Sequence, residues 1–99
     1  MEKIAVIGAG VIGGAIVESL FKKGYRGKVI ATRRDLEKLR ELEKLGAYVT
    51  TDNRKAAEEA DIVFLCVKPN DVEKVLREIS SELRVKLLFP QPPPSSPVL

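Results

Sequence analysis

Glycines at positions 8, 10 and 13 have the spacing G-x-G-x-x-G, and they stand between an apolar run, Ile4-Ala5-Val6-Ile7, and a segment whose apolar residues recur at helical intervals. A glycine turn in that setting brings unpaired backbone amides and the positive end of a helix dipole to one point, which is the chemistry of holding a phosphate or diphosphate. Gly8 would permit the tight turn, Gly10 the close approach of backbone to the anion, and Gly13 the packing of helix on strand; Ala9, Val11 and Ile12 complete the loop. Glycines are common, so the spacing alone is weak, and the plainer reading is a turn that merely joins strand to helix. The flanking strand and helix are what favour the phosphate reading.

A second group of residues addresses the ligand more narrowly. Enzymes that use NAD place Asp or Glu at the end of the second strand, roughly 20 residues on, to bind the adenosine ribose hydroxyls. Here that place is held by Thr32, followed by Arg33 and Arg34. Fixed positive charge and forked donors suit a 2′-phosphate, so the expected cofactor is NADP(H), with NAD the weaker expectation. Against this stands solvated surface charge at a helix entry. Asp35 reads as the cap of the next helix, although it is close enough in sequence to offset the arginines.

These residues need elements to carry them. Ile4 to Ile7 reads as a strand buried on both faces. Ile12, Ile16, Val17, Leu20 and Phe21 form a first helix stopped at Gly24. Lys28 to Thr32 is a second strand, and Leu36, Leu39, Leu42 and Leu45 stripe a second helix from Asp35 to Gly46. Ala47 to Val49 makes a short third strand, residues 53 to 60 a short helix, and Ile62 to Val67 a fourth strand. A last helix is signalled by Val72, Val75, Leu76, Ile79 and Leu83, with Asn70 and Glu73 spaced as a capping box. Strict alternation of strand and helix predicts an α/β, Rossmann-like parallel sheet, order 3-2-1-4 with a possible fifth strand, and helices on both faces.

Bulk properties exclude other classes. The chain has 99 residues, enough for one core, and its 17 Lys and Arg against 14 Asp and Glu are spread rather than massed, so a nucleic-acid partner is not expected. Cys66 is the only cysteine and histidine is absent, which removes an intrachain disulfide and a Cys-rich metal site. The apolar run at 4 to 7 is too short for a signal segment or membrane span, so a cytoplasmic protein without a membrane partner is expected. Five of the six prolines fall after Phe89. The division is therefore a domain over 1–88 and a proline-rich disordered tail over 89–99.

With the glycine loop, Thr32-Arg33-Arg34, Asp52-Asn53 and Phe64-Leu65-Cys66-Val67-Lys68-Pro69 in view, the chain resembles pyrroline-5-carboxylate reductase over residues 1 to about 88. The resemblance is to the N-terminal coenzyme domain of a family that reduces pyrroline-5-carboxylate to proline, in proline biosynthesis, with NADPH or NADH. It implies that Asn53 lies near the adenosine side and that Cys66, Val67, Lys68 and Pro69 pass the nicotinamide ribose. Read without a ligand, Pro69 opens a helix, Lys68 is solvated and Cys66 is a small core residue.

The chain also departs from that family. The resemblance implies a further strand with a small-residue turn at the nicotinamide and then a helical, dimerising substrate domain, whereas this sequence runs through Val85 to Phe89 into prolines. No catalytic residue is therefore assigned, and whether the chain is an enzyme by itself stays open. The expectation is a cofactor-binding domain unable to catalyse alone, from a truncated frame or a fragment. The alternatives are the cofactor domain of another NADP oxidoreductase, of deazaflavin-dependent or prephenate dehydrogenase type, or a non-catalytic nucleotide-binding module needing a partner chain. Strand four would lie near a sheet edge, which invites self-association unless residues 85 to 89 cover it.

Overall fold

The structure is a computed structural model that describes residues 1–79 and the strand at 86–88. Five parallel strands form one sheet in the order β3-β2-β1-β4-β5: β1 Ile4–Ile7, β2 Val29–Thr32, β3 Tyr48–Thr50, β4 Ile62–Leu65 and β5 Lys86–Leu88. Between them run α1 Val11–Lys22, α2 Leu36–Leu45, α3 Asn53–Glu59 and α4 Val72–Ile79. The expected order is thus present, and the possible fifth strand is real. β5 pairs with β4 from Ile62 opposite Lys86 to Phe64 opposite Leu88. The edge of β4 through which self-association was expected is occupied, because β4 is bonded to β1 on one side and β5 on the other.

Side-chain alternation along the strands divides the interior in two. Ile4 and Val6 of β1, with Val29 and Ala31 of β2, pack beneath Val17 of α1 and Leu39 and Leu42 of α2. Ala5 and Ile7 face the opposite layer, where Val63 and Leu65 of β4 meet Ala56 and Ala57 of α3 and Val75 and Ile79 of α4. All four residues of β1 are buried, which is why its text is continuously apolar.

Boundaries differ from expectation where backbone amides are used elsewhere. The third strand begins at Tyr48, not Ala47, because the Ala47 amide donates to the Leu42 carbonyl and, with Gly46 at φ 116°, closes α2. The second begins at Val29, while the Lys28 carbonyl accepts from Ile4 N. The fourth stops at Leu65; the Cys66 amide still reaches the Ile7 carbonyl at 2.8 Å, but Val67 has left the ladder to pass over the glycine turn. The short helix ends at Glu59, one residue early. Asn70 does not open α4 as a capping box: it sits inside a 3-10 turn, Pro69–Asp71, closed by Asp71 N donating to the Lys68 carbonyl. Leu83 and the tail at 89–99, the far side of the expected division after residue 88, lie outside the described residues. Among the described residues no helix is long and apolar enough to cross a membrane.

Candidate functional site

The site forms where the sheet order reverses. β1 is the first strand in sequence, yet its neighbours are β2 on one side and β4 on the other, so connections leave their carboxyl ends in opposite directions and open a cleft there. The chain turns out of β1 at Gly8, whose φ of 83° is in the left-handed region. A β-carbon at Gly8 would also lie 2.7 Å from Val67 Cγ1, so neither the turn nor the packing admits a larger residue. The last carbonyl of β2 anchors the loop: Thr32 O accepts from Gly8 N at 3.1 Å and from Ala9 N at 2.7 Å.

Gly10 caps α1 without a side chain, and no acidic residue occupies the first turn of that helix. The field at this end is left to the backbone dipole. A β-carbon on Gly10 would meet nothing within 4 Å, in contrast to Gly8 and Gly13. Open space above Gly10 is what a ligand approaching the backbone requires. Gly13 has the opposite surroundings, since its β-carbon would fall 2.7 Å from Gly8 O and 3.1 Å from Val6 Cγ1. Gly8 thus stands at a tight turn and Gly13 at a close helix–strand contact, while the backbone at Gly10 is left uncovered.

A cleft of about 570 Å³ gathers most of the residues singled out from sequence: Gly8, Gly10, Thr32, Arg33 and Arg34 on one side. Asn53, Cys66, Val67 and Lys68 line it from α3 and from the end of β4. Thr32 is fully buried; its hydroxyl accepts from Gly8 N at 3.3 Å and donates to Asn53 Oδ1 at 2.6 Å. Arg33 is half-buried, and its Nη1 donates to the Ala9 carbonyl at 3.5 Å, so its guanidinium is held at the glycine turn. Arg34 is exposed. Asp35 caps α2 as expected, accepting from Glu37 N at 3.0 Å.

Five of the residues named from sequence do not line the cleft. Ala9 is buried in the core, and Gly13 is a buried residue of α1 itself. Pro69 is exposed and opens the 3-10 turn, the plain structural role. Val11 and Ile12 turn their side chains to an apolar hollow of about 880 Å³ with Met1, Ala15, Ile16 and Phe64. Val11 is 93% exposed there, so only the backbone of these two residues is available to the cleft side of the turn. Cys66 is half-buried, and burial pushes its thiol up to about 11.

Sequence reasoning missed Thr51, Asp71, Lys74, Val75 and Glu78, all of which line the same cleft. Positions 71, 74, 75 and 78 lie on one helical face, and that spacing was the available signal. Asp52, quoted from sequence beside Asn53, serves the fold instead: it caps α3, accepting from Arg54 N at 3.0 Å and Lys55 N at 3.2 Å. This cap places Asn53 at the first turn, facing Thr32.

Residues 3–89 match the family described as NADP oxidoreductase, coenzyme F420-dependent. The chain is 46% identical over 85 residues to pyrroline-5-carboxylate reductase of Corynebacterium melassecola, covering 84% of this chain and 32% of that protein. The solved pyrroline-5-carboxylate reductase of Coxiella burnetii superposes with a TM-score of 0.81 at 36% identity, over 89% of this chain and 35% of that one. An imine reductase from Myxococcus stipitatus in complex with NADP+ gives a TM-score of 0.76 at 29% identity, over 90% of this chain and 32% of that one. The chain spans about a third or less of the length of the curated relatives it matches. Shared sheet order, a glycine turn at its switch point and a match across nearly all of the described residues make this chain a member of the NADP oxidoreductase, coenzyme F420-dependent family, a Rossmann domain homologous to the N-terminal NAD(P)-binding domain of pyrroline-5-carboxylate reductases.

Proposed function

We propose that the cleft binds a nicotinamide dinucleotide, NADP(H) in preference to NAD(H), as the coenzyme half of a pyrroline-5-carboxylate reductase-like oxidoreductase of proline biosynthesis. The observation that carries this reading is the pair Arg33 and Arg34 directly after Thr32, on the same cleft as Gly8 and Gly10. A carboxylate at the end of β2 would accept ribose hydroxyls and repel a 2′-phosphate; guanidinium groups there attract it. The backbone from Gly8 to Gly13, with the start of α1, would hold the diphosphate. Cys66, Val67 and Lys68, at the carboxyl end of β4, would border the nicotinamide ribose. The choice of NADP(H) rests on the chemistry of these residues, while the Myxococcus imine reductase, in complex with NADP+ and, as the V8 variant, with NAD+, supports a nicotinamide dinucleotide of either kind.

When bound, the cofactor supplies a hydride; the chain's own contribution is to hold and orient it. Hydride transfer also needs a substrate fixed against the nicotinamide, and the described residues offer no second wall for that. Substrate handling is assigned to the part of the relatives that this chain does not span, and the domain alone is expected to bind without turning over. The reading keeps the domain in the cytoplasm, a reducing compartment that suits its lone thiol. The description of the matched family favours a second reading, the cofactor domain of another NADP oxidoreductase, in which every residue keeps the same role and only the substrate differs.

The test is a fluorescence titration of the purified chain with NADPH and NADH, repeated with Arg33→Ala and Arg34→Ala. Tighter binding of NADPH, with the preference reduced by Arg33→Ala above all, is expected. Equal binding of both cofactors by the unaltered chain would overturn the preference. Binding of neither would overturn the cofactor role.

A further inference from the structure

A chain of hydrogen bonds crosses the cleft from the glycine turn to α4. Gly8 N donates to Thr32 Oγ1 at 3.3 Å, Thr32 Oγ1 donates to Asn53 Oδ1 at 2.6 Å, and Asn53 Nδ2 donates to Glu78 Oε2 at 3.1 Å. Four elements are joined by three bonds, and each donor in turn depends on the next acceptor. The direction has one fixed end. A carboxylate only accepts, so Glu78 compels Asn53 to present its NH2 group toward α4 and its carbonyl oxygen toward Thr32. With the amide reversed, Glu78 would face a carbonyl oxygen and Thr32 would lose its acceptor.

From this we infer that Glu78 is a positioning residue for the adenosine end of the cofactor, acting through Asn53 rather than on the ligand itself. The inference rests on the proposed cofactor role of the cleft. Thr32 is fully buried and donates its hydroxyl proton to Asn53, which leaves its oxygen free to accept from Gly8. The residue that sets the Asn53 amide therefore also sets the hydroxyl that shares the Gly8 amide with the Thr32 carbonyl. Asn53 Nδ2 has a second hydrogen with no partner among the described residues, and Asn53 lines the cleft. Held by Glu78, that hydrogen is a fixed donor for an oxygen on the adenosine ribose, hydroxyl or phosphate.

The inference runs against simple electrostatics, and this makes it decidable. Glu78 places a negative charge on the cleft proposed to take a 2′-phosphate. If the charge alone mattered, Glu78→Gln would tighten NADPH binding, and Glu78→Asp, which keeps the charge but shortens the reach, would leave it unchanged. If Glu78 positions Asn53, both variants weaken NADPH binding by about tenfold: aspartate because it does not reach, and glutamine because its amide can present either oxygen or NH2 to Asn53 and no longer compels one orientation.

The experiment titrates NADPH into the unaltered chain, Glu78→Gln, Glu78→Asp, Asn53→Ala and the Glu78→Gln/Asn53→Ala double variant. Positioning through Asn53 predicts that the double variant binds no more weakly than Asn53→Ala alone. A second readout needs no cofactor: in nitrogen-15 spectra of the ligand-free protein, Glu78→Gln should shift the Asn53 side-chain NH2 and the Gly8 amide. Glu73→Gln, an exposed change on the same helix, should move neither. Tighter or unchanged NADPH binding in Glu78→Gln, additive losses in the double variant, or an unmoved Gly8 amide would each overturn the inference. Should the unaltered chain bind neither cofactor, the cofactor reading fails instead, and the spectra still decide whether Glu78 governs Asn53 and Gly8.

Discussion

Gly13 lies so close to Gly8 that a β-carbon on Gly13 would stand 2.7 Å from the Gly8 carbonyl oxygen. The neighbour is backbone of a turn already held by Thr32, so it has little room to give. Gly13→Ala should therefore cost about 1–3 kcal/mol, the range for overpacking a filled interior. Gly14, one residue on in the same helix, has nothing within 4 Å of its β-carbon position. Gly14→Ala should instead stabilise by up to about 1 kcal/mol, through helix propensity. Urea denaturation of both variants checks the pair, and opposite signs are the expected outcome.

Gly10 separates folding from binding. Its β-carbon position is open, so Gly10→Ala should lose by urea denaturation only the modest penalty of alanine at a helix N-cap, about 1 kcal/mol or less. If the diphosphate lies against this backbone, the added methyl stands in its way, and NADPH affinity should fall by about tenfold or more. A variant that folds normally and binds normally would remove the diphosphate from this part of the turn.

Cys66 should behave as a quiet, half-buried thiol. Burial raises it to about 11, and the thiolate is the nucleophile, so at pH 8 only about one molecule in a thousand is reactive. Alkylation by iodoacetamide, followed by mass spectrometry, should be far slower than for free cysteine at pH 8 and should accelerate as pH rises toward 11. Rapid alkylation of the folded chain at neutral pH would contradict the buried environment.

A pH effect on stability is expected from the pair at the opposite end of the sheet. Lys28 Nζ lies 2.6 Å from Glu59 Oε2 and 4.4 Å from the centre of the Tyr48 ring. The hydrogen bond from Lys28, and then its charge, hold the Glu59 carboxyl below its ordinary value. A carboxyl lowered by folding contributes stability above its unfolded pKa and loses it as pH falls through the folded one. Both partners are partly exposed, so the contribution is screened to about 0.5 kcal/mol or less. Glu59→Gln should flatten the acid limb of the stability profile slightly and leave cofactor titrations unchanged.

The legible part of this protein is the part governed by local rules. Ile4 to Ile7 had to be a doubly covered strand because its four residues are apolar in succession, and each is buried. Asp35 and Gly46 mark the ends of α2 by capping chemistry, which acts within a few residues. Boundaries escape those rules where one amide could serve either of two adjoining elements: Ala47 N closes α2 on Leu42 O instead of joining β3, and Asp71 N closes a 3-10 turn on Lys68 O, so that Asn70 does not cap α4. The face of α4 that reaches the cleft escapes them too, because helical periodicity marks the buried side of a helix and leaves its half-exposed flank undistinguished from solvent-facing charge.

The sequence by itself determined the alternation of strand and helix, the glycine turn and the absence of a carboxylate at the end of β2. Backbone preference, side-chain shape and charge are properties of neighbours along the chain. Only the tertiary structure decided that β5 closes the edge of β4, that Val11 and Ile12 turn their side chains away from the cleft, and that Glu78 stands behind Asn53. Each of these joins residues more than 20 positions apart or fixes the rotation of a helix about its axis, and packing across the sheet sets both.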